Sequence, residues 1–446
     1  MLTFVAPLIA YLMSFPIMLI ALFRVEIGIL FFITLVPIIA AMKKICEFPQ
    51  GHNLADFLLI SLVIGWVLKA GRENRSIFKS SPVNVVVMLM VLGSIINLIR
   101  GYTFMALPSD INLTRLMAWK NYMILPLLYF IALNNINTEK FVKWILICVC
   151  FTMLAMDFNF YSTFRWIRAD HYSDSIRISG SFSFLGPNEL GIFYSMYTFL
   201  LLGISYFIED KKLRYLVLFV CACNFYPIMY SYSRSAYMCT AVGFLSLGLL
   251  KDRRLLILLF GLIFFYSFIL PNSVVERIDM TFLNKTEVSE KKVQSSMVNV
   301  GGISVDTVGR KELWEKARNY FKREPLLGIG FDTFRHREGM ITHSLYYKTL
   351  AEQGLVGMTI FVIFIIVLLR QSYKLFRHSK NKLGQGIGLG FFMSIIMHLV
   401  GSVGGDQSLY YNLMAIYWLF MGIVASFNVH YVDDFEHTQE VDRSAG

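Results

Sequence analysis

The chain has 446 residues, of which 56% are hydrophobic and 16% charged, and its formal net charge is +11. A soluble domain carries ~25% charged residues, so a soluble globular enzyme, a disordered chain and a nucleic-acid module are excluded. In so apolar a chain the basic excess is read through loop position, and no nucleic-acid partner is expected.

A membrane-spanning helix needs ~20 mostly apolar residues, and ~17 suffice. Taken in order, such runs lie at 2–23, 27–42, 57–70, 83–99, 117–133, 141–161, 190–208, 213–230, 236–250, 255–270, 355–369, 386–403 and 410–427. The pattern predicts an all-α polytopic membrane protein with about 12–14 transmembrane helices and one long outer loop holding short amphipathic helices. The first run has no basic start and a second follows at once, so it reads as a span and not as a cleavable signal. Of the six cysteines, five lie inside apolar runs. The pairs Cys148/Cys150 and Cys221/Cys223 have no adjacent His or acid, so they read as packing residues, with no metal site and no disulfide framework.

Short basic loops stay cytoplasmic. The clearest is 370–382, followed by Lys251–Arg254 and Glu209–Arg214. Taking these as inside puts 162–189, Ser231–Ser235 and Pro271–Gly354 outside. Lys43 and Lys44 then violate the rule. The expected organisation is helices over 1–270 with the outer loop 162–189, a large periplasmic loop over 271–354, C-terminal helices over 355–427 and an acidic cytoplasmic tail over 428–446.

The long loop holds thirteen basic and eleven acidic residues, a balance that keeps it water-soluble. Its first part, 274–302, is polar with few strong patterns. From Arg310 to Arg323, Leu313, Trp314, Ala317, Tyr320 and Phe321 recur at helical spacing. Basic residues flank them, which predicts an amphipathic helix able to rest on a membrane surface. Pro325 to Gly330 reads as a turn. A second helix starts near His343 and leads into the next span, with Gly354 able to cap it.

Arg165, Arg168, His171 and Arg177 fall in the first outer loop, and Arg234 at the mouth of a span. Arg310, Arg318, Arg323, Arg335, His336, Arg337 and His343 fall in the long loop. Positive charge held outside against the usual bias points to an anionic ligand. The guanidinium fork fits phosphate oxygens, and a diphosphate at the lipid–water boundary is the simplest such ligand. Single arginines of this kind also serve to contact headgroups or nearby acids. Arg234 stands apart because it abuts apolar sequence, where a lone charge is costly. His343, at a helix start, is placed to take or deliver a proton near neutral pH.

The segments Gly309–Trp314, Pro325–Gly330, Thr342–Tyr346 and Glu352–Gly357 occur in that order. With Gly180–Phe182 through Gly186–Glu189, and with Ser233–Ala236, they resemble the O-antigen ligase and polysaccharide polymerase superfamily. The likeness is most specific over roughly 177–357. It implies a GT-C-type glycosyltransferase in the bacterial inner membrane, working on the periplasmic face without metal, nucleotide sugar or other cofactor. The donor it implies is a glycan on undecaprenyl diphosphate. By position, Arg234 and Arg310 match the family's diphosphate-binding arginines and His343 its loop histidine, giving three expected catalytic residues. Arg177, Asn188, Arg318, Arg335 and Tyr346 are the expected substrate-binding residues. The family often has Asn after the histidine, where this chain has Ser344. The Gly-Pro-Asn segment and the Thr-His start look more like O-antigen and exopolysaccharide polymerases. A ligase transferring to lipid A-core is the alternative, and a lipid-linked glycan flippase a more distant one. A chain-length regulator and the pathway's flippase are the expected protein partners, besides the bilayer itself. A flippase would show internal repeats and midplane charges, and the span pattern shows no repeat between the halves.

Overall fold

The computed structural model describes residues 2–41, 54–104, 108–165, 167, 170–179, 181–182, 185–282, 297–300, 303–306 and 310–433. Lys43, Lys44, Cys46, Arg168 and most of the acidic tail lie outside the described residues. Sixteen principal helices follow one another. They are α1 Leu2–Phe23, α2 Val25–Leu35, α3 Leu54–Arg72, α4 Pro82–Phe104, α5 Ser109–Asn135, α6 Glu139–Phe164, α7 Pro187–Ser205 and α8 Lys211–Tyr230. Then come α9 Arg234–Leu250, α10 Arg254–Ile269, α11 Asn272–Phe282, α12 Arg310–Arg323, α13 Thr333–Glu338, α14 Leu345–His378, α15 Lys382–Gly401 and α16 Tyr411–Asn428. Two short strands, β1 Met297–Val300 and β2 Ile303–Asp306, pair antiparallel between α11 and α12, with Met297 opposite Asp306. Alternating Val and Ile around Gly301-Gly302 suit such a pairing.

Each of the thirteen apolar runs is occupied by helix, because only helices satisfy backbone polar groups within one segment in lipid. The architecture is a polytopic helical bundle. By length and apolar composition, eight helices among the described residues are able to span a membrane. The count is nine if α10 and α11, bent by 114° at their junction, form one broken span. Outside this count stand the shorter apolar stretches of α1, α2 and α9 and the more polar α7.

The polarity of α7 has a structural reason. Nearly every residue from Glu189 to Ser205 is buried by protein, so its Ser, Thr and Tyr side chains never meet lipid. Its neighbours α15 and α16 are buried in the same way. Helix α7 meets α15 at backbone contact, where a Cβ on Gly203 would lie 2.7 Å from Gly390 Cα. At the periphery, Val85, Leu92 and Ile96 of α4 and Ile257, Phe264 and Phe268 of α10 are exposed, as a lipid-facing surface requires.

The loops sort to two ends. Lys382 bonds Glu209 at 2.7 Å, and Tyr206 bonds Asp252 at 3.2 Å, so the basic loops 209–214, 251–254 and 379–382 share one end. One helix length away, ~28 Å for the nineteen residues of α7, lie the starts of α7, α9, α12 and α14.

The second half of the long loop folds onto the bundle. Leu313 and Ala317 of α12 pack with Ile329, Phe334 and Ala351, and Trp314 stacks on Tyr347 at 5.0 Å. The apolar stripe of α12 therefore faces protein, which corrects the expectation of a helix resting on lipid. Over 274–282 the chain is not patternless, since α11 begins there. Gly354 (φ +63°) breaks α14 where a cap was expected, and the helix then runs on. Around the break, Ile329 and Gly330 N–H groups donate to Ala351 and Glu352 carbonyls (both 2.9 Å). In return, Leu355 and Val356 N–H groups donate to Pro325 and Leu326 (2.8 and 3.1 Å). The turn and the helix break are thus one hydrogen-bonded unit.

Gly330 makes this unit possible. It has φ +93°, and an added Cβ would sit 2.2 Å from the Gly101 nitrogen of α4. Gly330→Ala is expected to add about 1–3 kcal/mol of backbone strain plus that collision. Thermal unfolding of the detergent-solubilised protein should drop by several degrees, whereas Gly339→Ala, with open space around it, should show only the strain.

Candidate functional site

Helix α8 ends at Tyr230 and α9 begins at Arg234, so the chain reverses in three residues. Ser233 caps α9 by accepting from Ala236 N–H at 3.3 Å. Tyr232 is fully buried with φ +50°, a costly conformation for a bulky residue. It is fixed by its hydroxyl, 3.0 Å from Ser273, and by its carbonyl, which accepts from Arg277 Nε at 3.2 Å. Two glycines let this turn sit close. A Cβ on Gly191 of α7 would fall 2.6 Å from Ser231 Oγ, and one on Gly404 would fall 2.3 Å from Ser235 Oγ. Arg234 is thereby wedged between the start of α7 and the 402–410 turn that follows α15.

Arg310 opens α12 and donates to the Gly404 carbonyl at 2.8 Å. Arg177 donates to the Asn188 side chain at 2.6 Å, at the N-terminus of α7. Arg277 of α11 lies over the Tyr172 ring at 4.6 Å. The four guanidinium groups act on one another, since Arg277 feels Arg234 and Arg177, and Arg310 feels Arg177 and Arg234. Burial, foremost, and these like charges lower the proton affinity of Arg310, while Glu189 opposes them. Glu189 is buried in the first turn of α7. Asp174, which accepts from the Tyr172 hydroxyl at 2.5 Å, faces Arg277. Among the described residues, the carboxylates of Glu189 and Asp174 face this group of cations.

His343 has φ +52° and precedes α14. The following residues dock it: Leu345 N–H donates to the Ser402 carbonyl at 3.1 Å, and Ser344 Oγ reaches the same carbonyl at 3.4 Å. Burial and then the Arg310 charge hold the imidazole below its ordinary value, and Asp406 opposes them. His343 is therefore neutral near pH 7, with a cation on one side and a carboxylate on the other.

The structure brings together Arg177, Asn188, Arg234, Arg310 and His343. It does not bring in the other three expected residues. Arg318 is exposed along α12. Arg335 is paired with Asp332 at 2.5 Å. Tyr346 donates to the Leu399 carbonyl at 2.8 Å and packs on Phe361, tying α14 to α15. Sequence reasoning missed Arg277, Glu189 and Asp406. Val274 and Ile278, four apart and just after Pro271, marked a helix that carries Arg277. Asp406 follows Val403 at the mouth of α15, the same cue that singled out Arg234.

Removing Arg277 is expected to weaken anion binding by about 10–100-fold, the worth of one or two charged hydrogen bonds. Arg318→Ala should change it by less than a factor of about three, as for an exposed charge. Binding of pyrophosphate to the purified protein, followed calorimetrically, separates the two.

Residues 217–362 match the family described as O-Antigen ligase. The match contains Arg234, Arg277, Arg310 and His343, with Arg177, Glu189 and Asp406 contributed from outside it. No curated protein matches the chain. Over residues 217–362 the chain is therefore similar to the O-Antigen ligase family.

Proposed function

We propose that the protein is a glycosyltransferase that moves a glycan from undecaprenyl diphosphate on the periplasmic face of the inner membrane, acting as an O-antigen or exopolysaccharide polymerase. One observation carries this reading: Arg177, Arg234, Arg277 and Arg310 come from four separate elements and act on one another's charge, and Arg310 also faces a neutral His343. The sidedness rests on the basic loops, which gather at the opposite end and by the positive-inside rule belong to the cytoplasm.

The reaction needs an acceptor hydroxyl to attack the anomeric carbon while the lipid diphosphate departs. The C–O bond to the phosphate breaks as the new C–O bond forms, and the sugar passes through an oxocarbenium-like state. Negative charge grows on the leaving diphosphate. The guanidinium groups are already in place for it, so they stabilise the transition state more than the bound substrate. Neutral His343 has a free lone pair to accept the acceptor proton, and Asp406 favours the imidazolium that results. Direct displacement inverts the anomeric carbon.

The ligase remains the second reading, favoured by the description of the matched family. A deletion strain distinguishes the readings. Accumulated lipid-linked single repeats outside support the polymerase, long lipid-linked chains the ligase, and units trapped inside a flippase. Arg310→Lys keeps charge but loses the fork, and Arg234→Ala and His343→Ala remove their groups outright. Each is expected to cut product at least about 100-fold with protein still in the membrane. Full-length glycan from Arg310→Lys removes diphosphate binding from the proposal. Because burial and Arg310 depress the imidazole, protonation disables it only below the ordinary histidine value of about 6.5. The acid limb of the rate should therefore lie below that pH.

A further inference from the structure

A second charged group lies in the first turn of α14. Lys348 is 9% exposed and its ammonium lies 2.9 Å from Asp406, which is 1% exposed. Lys348 also faces Glu352 and Asp332. The Glu352 carboxylate is occupied by the Asp332 and Phe334 N–H groups, both at 3.1 Å. Asp332 is occupied by Arg335, with fully buried Arg115 of α5 facing both acids. Asp406 in turn faces His343, Tyr122 of α5 and Tyr410 of its own turn. Lys348 is the one cation in direct contact with Asp406 among the described residues. In the first turn of α14, it links the imidazole's carboxylate neighbour to the helix that His343 precedes.

We propose that Lys348 is a positioning residue: its ammonium, 2.9 Å from the buried Asp406 carboxylate, holds that carboxylate beside the His343 segment, where the Leu345 N–H also reaches the Gly405 carbonyl at 3.3 Å. This rests on the glycosyl-transfer reading above. A buried carboxylate without a cation favours its neutral form. Losing Lys348 therefore removes the negative charge facing His343 near neutral pH and restores it only in alkali.

The test uses the full-length protein in detergent and lipid-linked glycan extracted from cells lacking the gene. In Lys348→Met, the acid limb of the rate is expected to move up by about 1–3 pH units, with activity recovering as pH rises. Lys348→Arg should leave the limb in place, and Asp406→Asn should show no alkaline recovery. A second readout needs no turnover. Diethyl pyrocarbonate modification of His343, followed on its peptide by mass spectrometry, should show a midpoint shifted to lower pH in both Lys348→Met and Asp406→Asn. Equal loss at every pH in Lys348→Met overturns the proposal. So does a His343 midpoint that stays put or rises. If Lys348→Met does not fold, Asp406→Asn and Lys348→Gln carry the same midpoint test. An active Arg310→Ala protein sinks the glycosyl-transfer reading alone, because the modification midpoints still report the link between Lys348, Asp406 and His343.

Discussion

Mutual repulsion among guanidinium groups, one buried and three half-buried, is the constraint around which this molecule is organised. Two like charges ~4 Å apart near a protein surface repel by about 4 kcal/mol, so arginines do not gather unless other contacts force them. Here neutral groups help to hold them: Arg177 is held by Asn188, Arg310 by a carbonyl of the 402–410 turn, and Arg277 by the Tyr232 carbonyl and the face of Tyr172. A site held in this way binds a doubly charged group without rearranging, and preorganisation of this kind gives electrostatic catalysis its magnitude.

The long loop is therefore better seen as a continuation of the bundle than as an appendage. Its turn and the break in α14 share backbone hydrogen bonds, and α12 has its apolar face against protein. Among the described residues, three of the four non-glycine residues with positive φ, Tyr232, Asp332 and His343, lie in the segments that meet here. Strain of this type persists only where surroundings over-determine the conformation. The buried ion pairs near His343 supply part of that surrounding.

Much of this was legible in the sequence, and the failures have physical causes. Apolar runs located every helix of the bundle because lipid and protein interior demand the same side chains. The same degeneracy hides that α7 is surrounded by protein and not by lipid. The amphipathic spacing of α12 was correctly periodic, yet period says only that one face is covered, not whether protein or lipid covers it. Arg234 was found because its cost is local: a charge set against apolar sequence. Arg277 was missed because α11 is short and its neighbours are polar. Asp406 was missed because its worth lies in what it faces, and nothing in the chain near it names His343. Arg335 and Arg318 were indistinguishable from Arg310 by residue type. Only the fold shows that one is spent on Asp332 and another turned outward.

The backbone contact between Gly203 and Gly390 has a reach beyond its own neighbourhood. From that contact α7 runs toward Glu189 and α15 toward the turn with Gly404 and Asp406. The two helices touch along their length, for a Cβ on Gly386 would lie 3.0 Å from the Ile204 carbonyl and one on Gly401 2.7 Å from Ile192. A seam this close has no slack, so a methyl group inserted at Gly203 or Gly390 would shift α7 against α15, and with them the acid that faces Arg310 against the carbonyl that receives its hydrogen bond.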